Sequence, residues 1–446
     1  QNIAASASAG ATLIGWLITG VGMLTLAFVF QTLANRKPEL DGGVYAYAKA
    51  GFGDYMGFSS AWGYWISAWI GNVSYMVLLF STLGYFFPVF GEGNTLPAVI
   101  CASALLWLLH FLVLRGIKEA AFINTITTIA KMVPLIVFCV AVLLAFNMET
   151  FTLDLWGQGS PELGSVMDQV KSTMKVTLWV FIGIEGAVVV SARARHRKDV
   201  GRATVLALLG ALALYVMVTL FSLGVMNQPQ LAALKNPSTA MILEAVVGPW
   251  GAWLINIGLV ISVMGALLSW TVLAAEVPYI AGKTGVFPAW FAKENKNGSP
   301  KVSLWCSTCL VQIFLIIIYF QSSTYLALVN IATSAALVPY VFSGAYGLKL
   351  ALQGTTYEHQ PHQRKRDLLL ALVATVYGCW LVYAAGVEYL LLVALLYSPG
   401  IFIYWKARQH HGLRSLNRLE QGMTAALLGC AVLAFYKVMD GTIPLH

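Results

Sequence analysis

Val176-Thr-Leu-Trp179-Val-Phe-Ile182-Gly183-Ile-Glu185-Gly186-Ala-Val-Val-Val190 is an apolar run with a carboxylate in its middle and a glycine on either side of it. It belongs to a membrane-length segment, 172–192. A charged group at bilayer depth costs about 2.5–3.5 kcal/mol on insertion scales, so it faces a water-filled or ligand-filled cavity. Gly183 and Gly186 permit the helix to unwind there, which frees backbone groups to face a substrate. Trp179 stands one to two turns before Glu185. An aromatic face and a carboxylate together suit an organic cation, by cation–π attraction and charge pairing. The plainer reading is a buried Glu paired with a Lys, which leaves the two glycines without a reason.

The surrounding chain fits a polytopic helical membrane protein. It is 59% hydrophobic and only 10% charged, with a mean hydropathy of +0.74. Soluble domains carry about 25% charged residues. Runs long enough to span a bilayer fall near 10–34, 54–87, 97–114, 121–146, 172–192, 203–226, 250–281, 302–320, 324–350, 368–386, 388–406 and 422–438. The second and seventh are long enough to tilt or break.

Charge placement orients these runs. Of the 27 Lys and Arg residues, all but Lys131, Lys171, Lys175, Lys235 and Lys437 fall on the side reached after the odd-numbered runs. That side is therefore expected to be cytoplasmic. The net charge of +8 reflects topology and calls for no nucleic-acid partner. The loop 147–171, with Glu149, Asp154, Glu162 and Asp168, falls outside. The chain opens on Gln1, directly before a long apolar run, and is read as lacking an N-terminal piece.

Other features have plainer readings. Cys306 and Cys309 are spaced like a redox or metal pair but sit in an apolar run, where two small buried residues are the expectation. His110 reads as a satisfied core or interface histidine. The loop 353–366 reads as a polar linker with solvated histidines. Trp62, Trp65, Trp107 and Trp156 carry no functional expectation. Lys131, Glu185 and Glu276 are scattered over three runs, with no dyad, metal cluster or phosphate loop, so an enzyme is not expected. No cofactor is called for. Val133-Pro134 and Val338-Pro339 stand five runs apart, a faint sign of inverted five-helix repeats.

Several motifs resemble a known family. Pro38-Glu-Leu-Asp-Gly42-Gly43-Val-Tyr45-Ala-Tyr47, then Gly51-Phe-Gly53 and Gly57-Phe58, resemble a cytoplasmic loop of the amino acid–polyamine–organocation superfamily. Tyr64-Trp65-Ile-Ser-Ala-Trp69-Ile-Gly71-Asn72 and Trp179 to Glu185 resemble its basic amino-acid/polyamine antiporters. Gly285-Val-Phe287-Pro288 and Val338-Pro339-Tyr340 add to the likeness. Asp41 to Phe90 and Leu112 to Asn124 are most similar to bacterial arginine/ornithine antiporters of the arginine deiminase pathway.

The resemblance implies two inverted five-helix repeats with extra C-terminal helices, about 12–13 spans in a full protein. The first repeat would occupy 1–146 and the second 172–352. An extracytoplasmic loop, 147–171, would join them. A basic cytoplasmic loop, 353–367, and extra helices, 368–446, would follow. The first helix of each repeat is broken in that fold, and 172–192 would be the second of these. The Gly-rich turn that holds the substrate carboxylate in its partner would lie before Gln1.

The resemblance also implies roles. Trp179 would stack on the bound cation. Ile182 and Trp270 would line its aliphatic stem. Asn72 would hydrogen-bond the substrate head, with Tyr75 nearby at a position that is Met in arginine/agmatine relatives. Tyr64, Glu185 and Tyr340 would form a cytoplasmic gate layer. Val180 and Ala332 replace serines of the arginine/agmatine relatives, and Thr333 or Ser334 could supply a hydroxyl instead. Lys131 resembles a lysine that occupies a vacated sodium site in some proton-coupled transporters; its plainer reading is a fixed counter-charge between helices.

The implied activity is exchange of cationic amino acids, arginine for ornithine, across a bacterial cytoplasmic membrane. The alternatives are lysine/cadaverine or arginine/agmatine exchange, or a proton-coupled permease. Homodimers are implied by analogy, and lipid is the surrounding partner.

Overall fold

The computed structural model describes residues 1–40, 43–186, 197–321, 325–358, 360–410 and 416–443, with backbone only at 117–126, 128–130, 197–200 and 410. The described chain is helical, and its β-structure is a single isolated bridge between Glu294 and Pro300. In chain order the main helices are α1 Ala9–Arg36, α2 Val44–Phe52, α3 Asp54–Leu83, α4 Leu96–Arg115, α5 Ile117–Leu144 and α6 Val166–Trp179. They continue as α7 Arg197–Val225, α8 Pro249–Lys283, α9 Lys301–Gln321, α10 Tyr325–Ala335 and α11 Leu337–Gln353. The last four are α12 Pro361–Ala385, α13 Val387–Tyr397, α14 Gly400–His410 and α15 Arg418–Met439.

Among the described residues, nine helical stretches are long and apolar enough to cross a membrane, or up to ten counting α13 and α14 as one span bent by 40°. The run 121–146 is α5, whose side chains are described at Thr127 and from Lys131 onward. The run 172–192 takes in the second half of α6 and the break that follows it, and is described as far as Gly186. The second and seventh runs do not break: α3 and α8 are each one uninterrupted helix, α8 even through Pro278. Interruption falls instead at Ala336, inside the ninth run, and at Ser398–Pro399, inside the eleventh. Ala336 keeps near-helical angles (φ −78°, ψ −7°), so this is a local turn that leaves Pro339 in the opening turn of α11.

The segment before the break is well anchored. Ser165 and Asp168 form a capping box at the start of α6, which satisfies two otherwise orphan backbone donors. α6 packs against α1, α10 and α12. Its contact with α1 is close because Gly15 lies over Thr173, where a Cβ would stand 2.4 Å from Oγ1. Thr19 and Thr177 share a hydroxyl hydrogen bond of 2.8 Å across the same seam. Small residues with polar cross-links are how helices associate where lipid removes the hydrophobic drive. On the other flank, α3 packs against α8, α10 and α11.

The loop 353–366 is more than a linker. Helix α12 begins within it, at Pro361, because Pro is favoured in a first helical turn and hydropathy is blind to a polar one. The Tyr357 ring lies under the Arg36 guanidinium at 3.6 Å, and Asp367 pairs with Arg36 at 3.4 Å, so the loop is docked on the end of α1.

Candidate functional site: a broken helix among aromatic rings

Helix α6 stops at Trp179, residues 180–185 form turns, and helical geometry returns at Gly186. Gly183 has φ +107°, and a Cβ there would stand 2.9 Å from Cζ2 of Trp270. Both the backbone angle and the packing therefore require glycine. Gly183→Ala should strain the turn by about 1–2 kcal/mol and push on the Trp270 indole. We expect a lower melting temperature of the purified protein and slower transport. Unchanged values in both would show that the break is unstrained.

The break turns Glu185 inward, where it is fully buried. Its Oε1 accepts from the Gly183 backbone N–H at 3.1 Å, and its Oε2 accepts from the Tyr340 hydroxyl at 2.7 Å. No lysine or arginine pairs with it among the described residues, so the Glu–Lys reading does not hold here. The Tyr64 hydroxyl lies beside the same carboxylate without hydrogen-bond geometry. The Tyr64 ring packs against that of Trp270, centroids 6.4 Å apart. Tyr64, Glu185 and Tyr340 thus form one layer joining α3, the break and α11.

On the α6 side of the break, Trp179 and Tyr75 pack with centroids 5.6 Å apart and planes at 40°. The missing Cβ of Gly71 leaves room for Trp179, whose Cη2 lies 3.3 Å from where it would be. The Tyr75 hydroxyl lies beside Trp270, linking the two tryptophans. Ile182 and Trp270 are buried around the break. Asn72, one residue beyond Gly71, is buried with no partner for its Oδ1, and Thr333 is buried with a free Oγ1. Thr333 lies on α10, which packs against both α3 and α6. Ser334 instead donates to Asn330 O at 2.8 Å. Of the two residues that could replace the missing hydroxyls, Thr333 is the one without a partner.

Lys131 is half-buried on α5 and makes no ion pair among the described residues. A fixed counter-charge role therefore has no visible partner. Its neighbours Thr127 and Pro134, four residues before and three after, meet α8 at Gly265 and Gly258, which places Lys131 on the face toward α8. Glu276 is buried on α8 and has its own partner.

Sequence reasoning missed Tyr325, which lies beside Trp179, and Tyr215, whose ring meets Phe181 at 5.7 Å. Neither sits in a spacing that marks it out. The plainer readings fare unevenly elsewhere. His110 is a core histidine satisfied at one nitrogen: its Nδ1 shares a 2.8 Å hydrogen bond with Thr308 Oγ1 and its ring packs on Trp305, while its buried Nε2 has no partner among the described residues. Trp62, Trp65 and Trp107 donate to Leu396 O, Ser307 Oγ and Gln312 Oε1. Cys306 and Cys309 are free thiols, but they are not the buried pair expected: Cys306 is half-buried and Cys309 is exposed, because α9 turns that face outward from the bundle. Asp41, Gly42 and the basic positions Arg193, Arg195 and Arg414 lie outside the described residues.

A multi-span helical bundle with a buried carboxylate at a broken helix, ringed by aromatics and partnerless polar atoms, has the architecture of a membrane carrier. The chain belongs to the amino acid permease family, whose model matches residues 1–417. It is 57% identical over 451 residues to an arginine/ornithine antiporter of Pseudomonas aeruginosa, covering 100% of this chain and 94% of that protein. It is 44% identical over 409 residues to an arginine/agmatine antiporter of Chlamydia abortus, covering 91% and 84%. Its fold matches the crystal structure of a manganese transporter mutant from Eremococcus coleocola, with a TM-score of 0.50 at 14% identity over 98% of this chain and 92% of that one.

Proposed function

We propose that the chain is a transmembrane exchanger of cationic amino acids that takes up L-arginine against L-ornithine by alternating access. The observation that carries this is the pairing at one broken helix of an aromatic cluster, Trp179, Tyr75 and Trp270, with a buried carboxylate sealed by Tyr340. An aromatic face attracts a guanidinium or ammonium, and a hydrogen-bonded carboxylate layer suits a gate that must part and re-form. The unpartnered Asn72 Oδ1 and Thr333 Oγ1 offer acceptors for the cationic head. Arginine and ornithine are both monocations, so their exchange needs no energy beyond the two gradients. Tight exchange requires that the ligand stabilise the occluded state relative to both open states.

In this reading 1–146 and 172–352 are the two inverted repeats, and the basic loops face the cytoplasm of a bacterial inner membrane. Radiolabelled arginine should enter proteoliposomes loaded with ornithine and stay out of empty ones. Uptake driven only by internal agmatine, lysine or cadaverine would replace the pair. A second reading rests on the unpaired Lys131: a proton-coupled permease. It requires uptake into empty vesicles under a pH gradient, with loss of that uptake in Lys131→Met.

A further inference from the structure

A polar cavity of about 360 Å3 lies between the end of α1 and the start of α12, remote in sequence from the broken helix. Its lining includes Phe28, Asn35, Gln360, Gln363, Arg366 and Leu370. Arg36 occupies three of the acceptors on its wall, those of Asp367, Gln360 and Gln363. It pairs with Asp367 at 3.4 Å and donates to Gln363 Oε1 at 2.9 Å and Gln360 Oε1 at 3.2 Å. Those bonds neutralise the one carboxylate of the lining and turn the Gln360 and Gln363 amide N–H groups away from Arg36 as donors. Arg366 adds a guanidinium with no hydrogen bond or ion pair among the described residues; its Cζ rests over the Phe28 ring at 5.4 Å. The first turn of α12, opening at Pro361, brings further unpaired backbone N–H groups to the same end. The cavity is rich in donors and carries one uncompensated positive charge, which complements a monoanion with several oxygens.

The surface leading to it is apolar. Along α1 the outward residues Leu13, Leu17 and Val21 are exposed, as are Leu369, Leu372 and Val376 along α12, which packs against α1. On α1 this stripe ends at Phe28 and gives way to Gln31, Thr32 and Asn35. An apolar surface that ends in an anion-accepting cavity matches a phospholipid, with acyl chains along the stripe and the phosphodiester in the cavity. Basic pockets between membrane helices take such headgroups.

We propose that this cavity is a binding site for the headgroup of an anionic phospholipid, held by Arg366 with the Gln360 and Gln363 amides. The test is native mass spectrometry of the full-length protein in detergent, titrated with phosphatidylglycerol, phosphatidylethanolamine or inorganic phosphate. Phosphatidylglycerol should bind with a defined first affinity that Arg366→Gln weakens roughly tenfold, the order expected for one charge-assisted hydrogen bond. Lys296→Gln, a basic residue outside the lining, should leave it unchanged. Equal losses in both variants would mean diffuse attraction and overturn the site. So would equal affinity for the two lipids. Displacement of the lipid by millimolar phosphate would overturn the assignment to lipid and make this a site for the free anion. Arg366 is exposed, so its variant should keep the parent melting temperature without added lipid.

Discussion

Trp179→Leu should weaken arginine exchange by about thirtyfold while the protein still purifies as a folded species. A cation over a desolvated indole gains about 2 kcal/mol, which corresponds to that factor. Leucine keeps the position apolar but has no π face. The ring stands against Tyr75 and over Gly71, beside Tyr325; in the proposed function it is part of the wall that a bound cation would complete. Trp179→Phe should recover most of the loss, because it restores an aromatic face on a smaller ring. The measurement is the concentration dependence of arginine/ornithine exchange in proteoliposomes, with thermal melting as the fold control. Normal exchange by Trp179→Leu would remove Trp179 from the binding site and leave it a packing residue.

Glu185→Gln should slow exchange about tenfold and raise arginine leak from loaded vesicles. Both carboxylate oxygens accept in this state, one from Gly183 N–H and one from the Tyr340 hydroxyl. A glutamine has a single amide oxygen, so its NH2 group would face one of those two donors. A buried donor left without an acceptor costs about 1–3 kcal/mol, or roughly five- to 150-fold in the population of the sealed state. Tyr340→Phe removes the other half of the same bond and should give a similar phenotype. The double variant should then fall short of the sum of the singles, as residues of one network do. An unchanged rate and leak in Glu185→Gln would make the carboxylate a structural element of the break.

These two residues differ in how far they could be read beforehand. The broken helix was legible because a glycine-flanked carboxylate inside an apolar run is a local signal, and Gly183 has the positive φ that such a break needs. Trp179 was legible for the same reason, as an aromatic one to two turns from the charge. The partner of Glu185 was not readable from spacing alone. Tyr340 lies 155 residues away on another helix, and only the resemblance singled it out among 19 tyrosines. Tyr325 and Tyr215 escaped altogether, because apolar helices full of aromatics offer no periodicity that separates a site-facing ring from a lipid-facing one. The opposite error occurred in the loop 353–366, where polar composition suggested a free linker and Arg36 instead docks it.

What the sequence determined by itself was the membrane class, the approximate positions of the spans and the position of the break. Hydropathy and helix-breaking residues are properties of short windows, and the lipid solvent demands that every spanning window satisfy its own backbone. What only the tertiary structure decided was which side chains meet. Examples are Tyr340 on Glu185, Trp270 against Gly183, Trp179 on Tyr75, a partnerless Thr333 hydroxyl beside a bonded Ser334, and an anion-accepting cavity between α1 and α12. Those meetings depend on the rotation and depth of each helix against its neighbours. A helix that is apolar all round does not encode them in its own sequence; packing and the few buried hydrogen bonds select them.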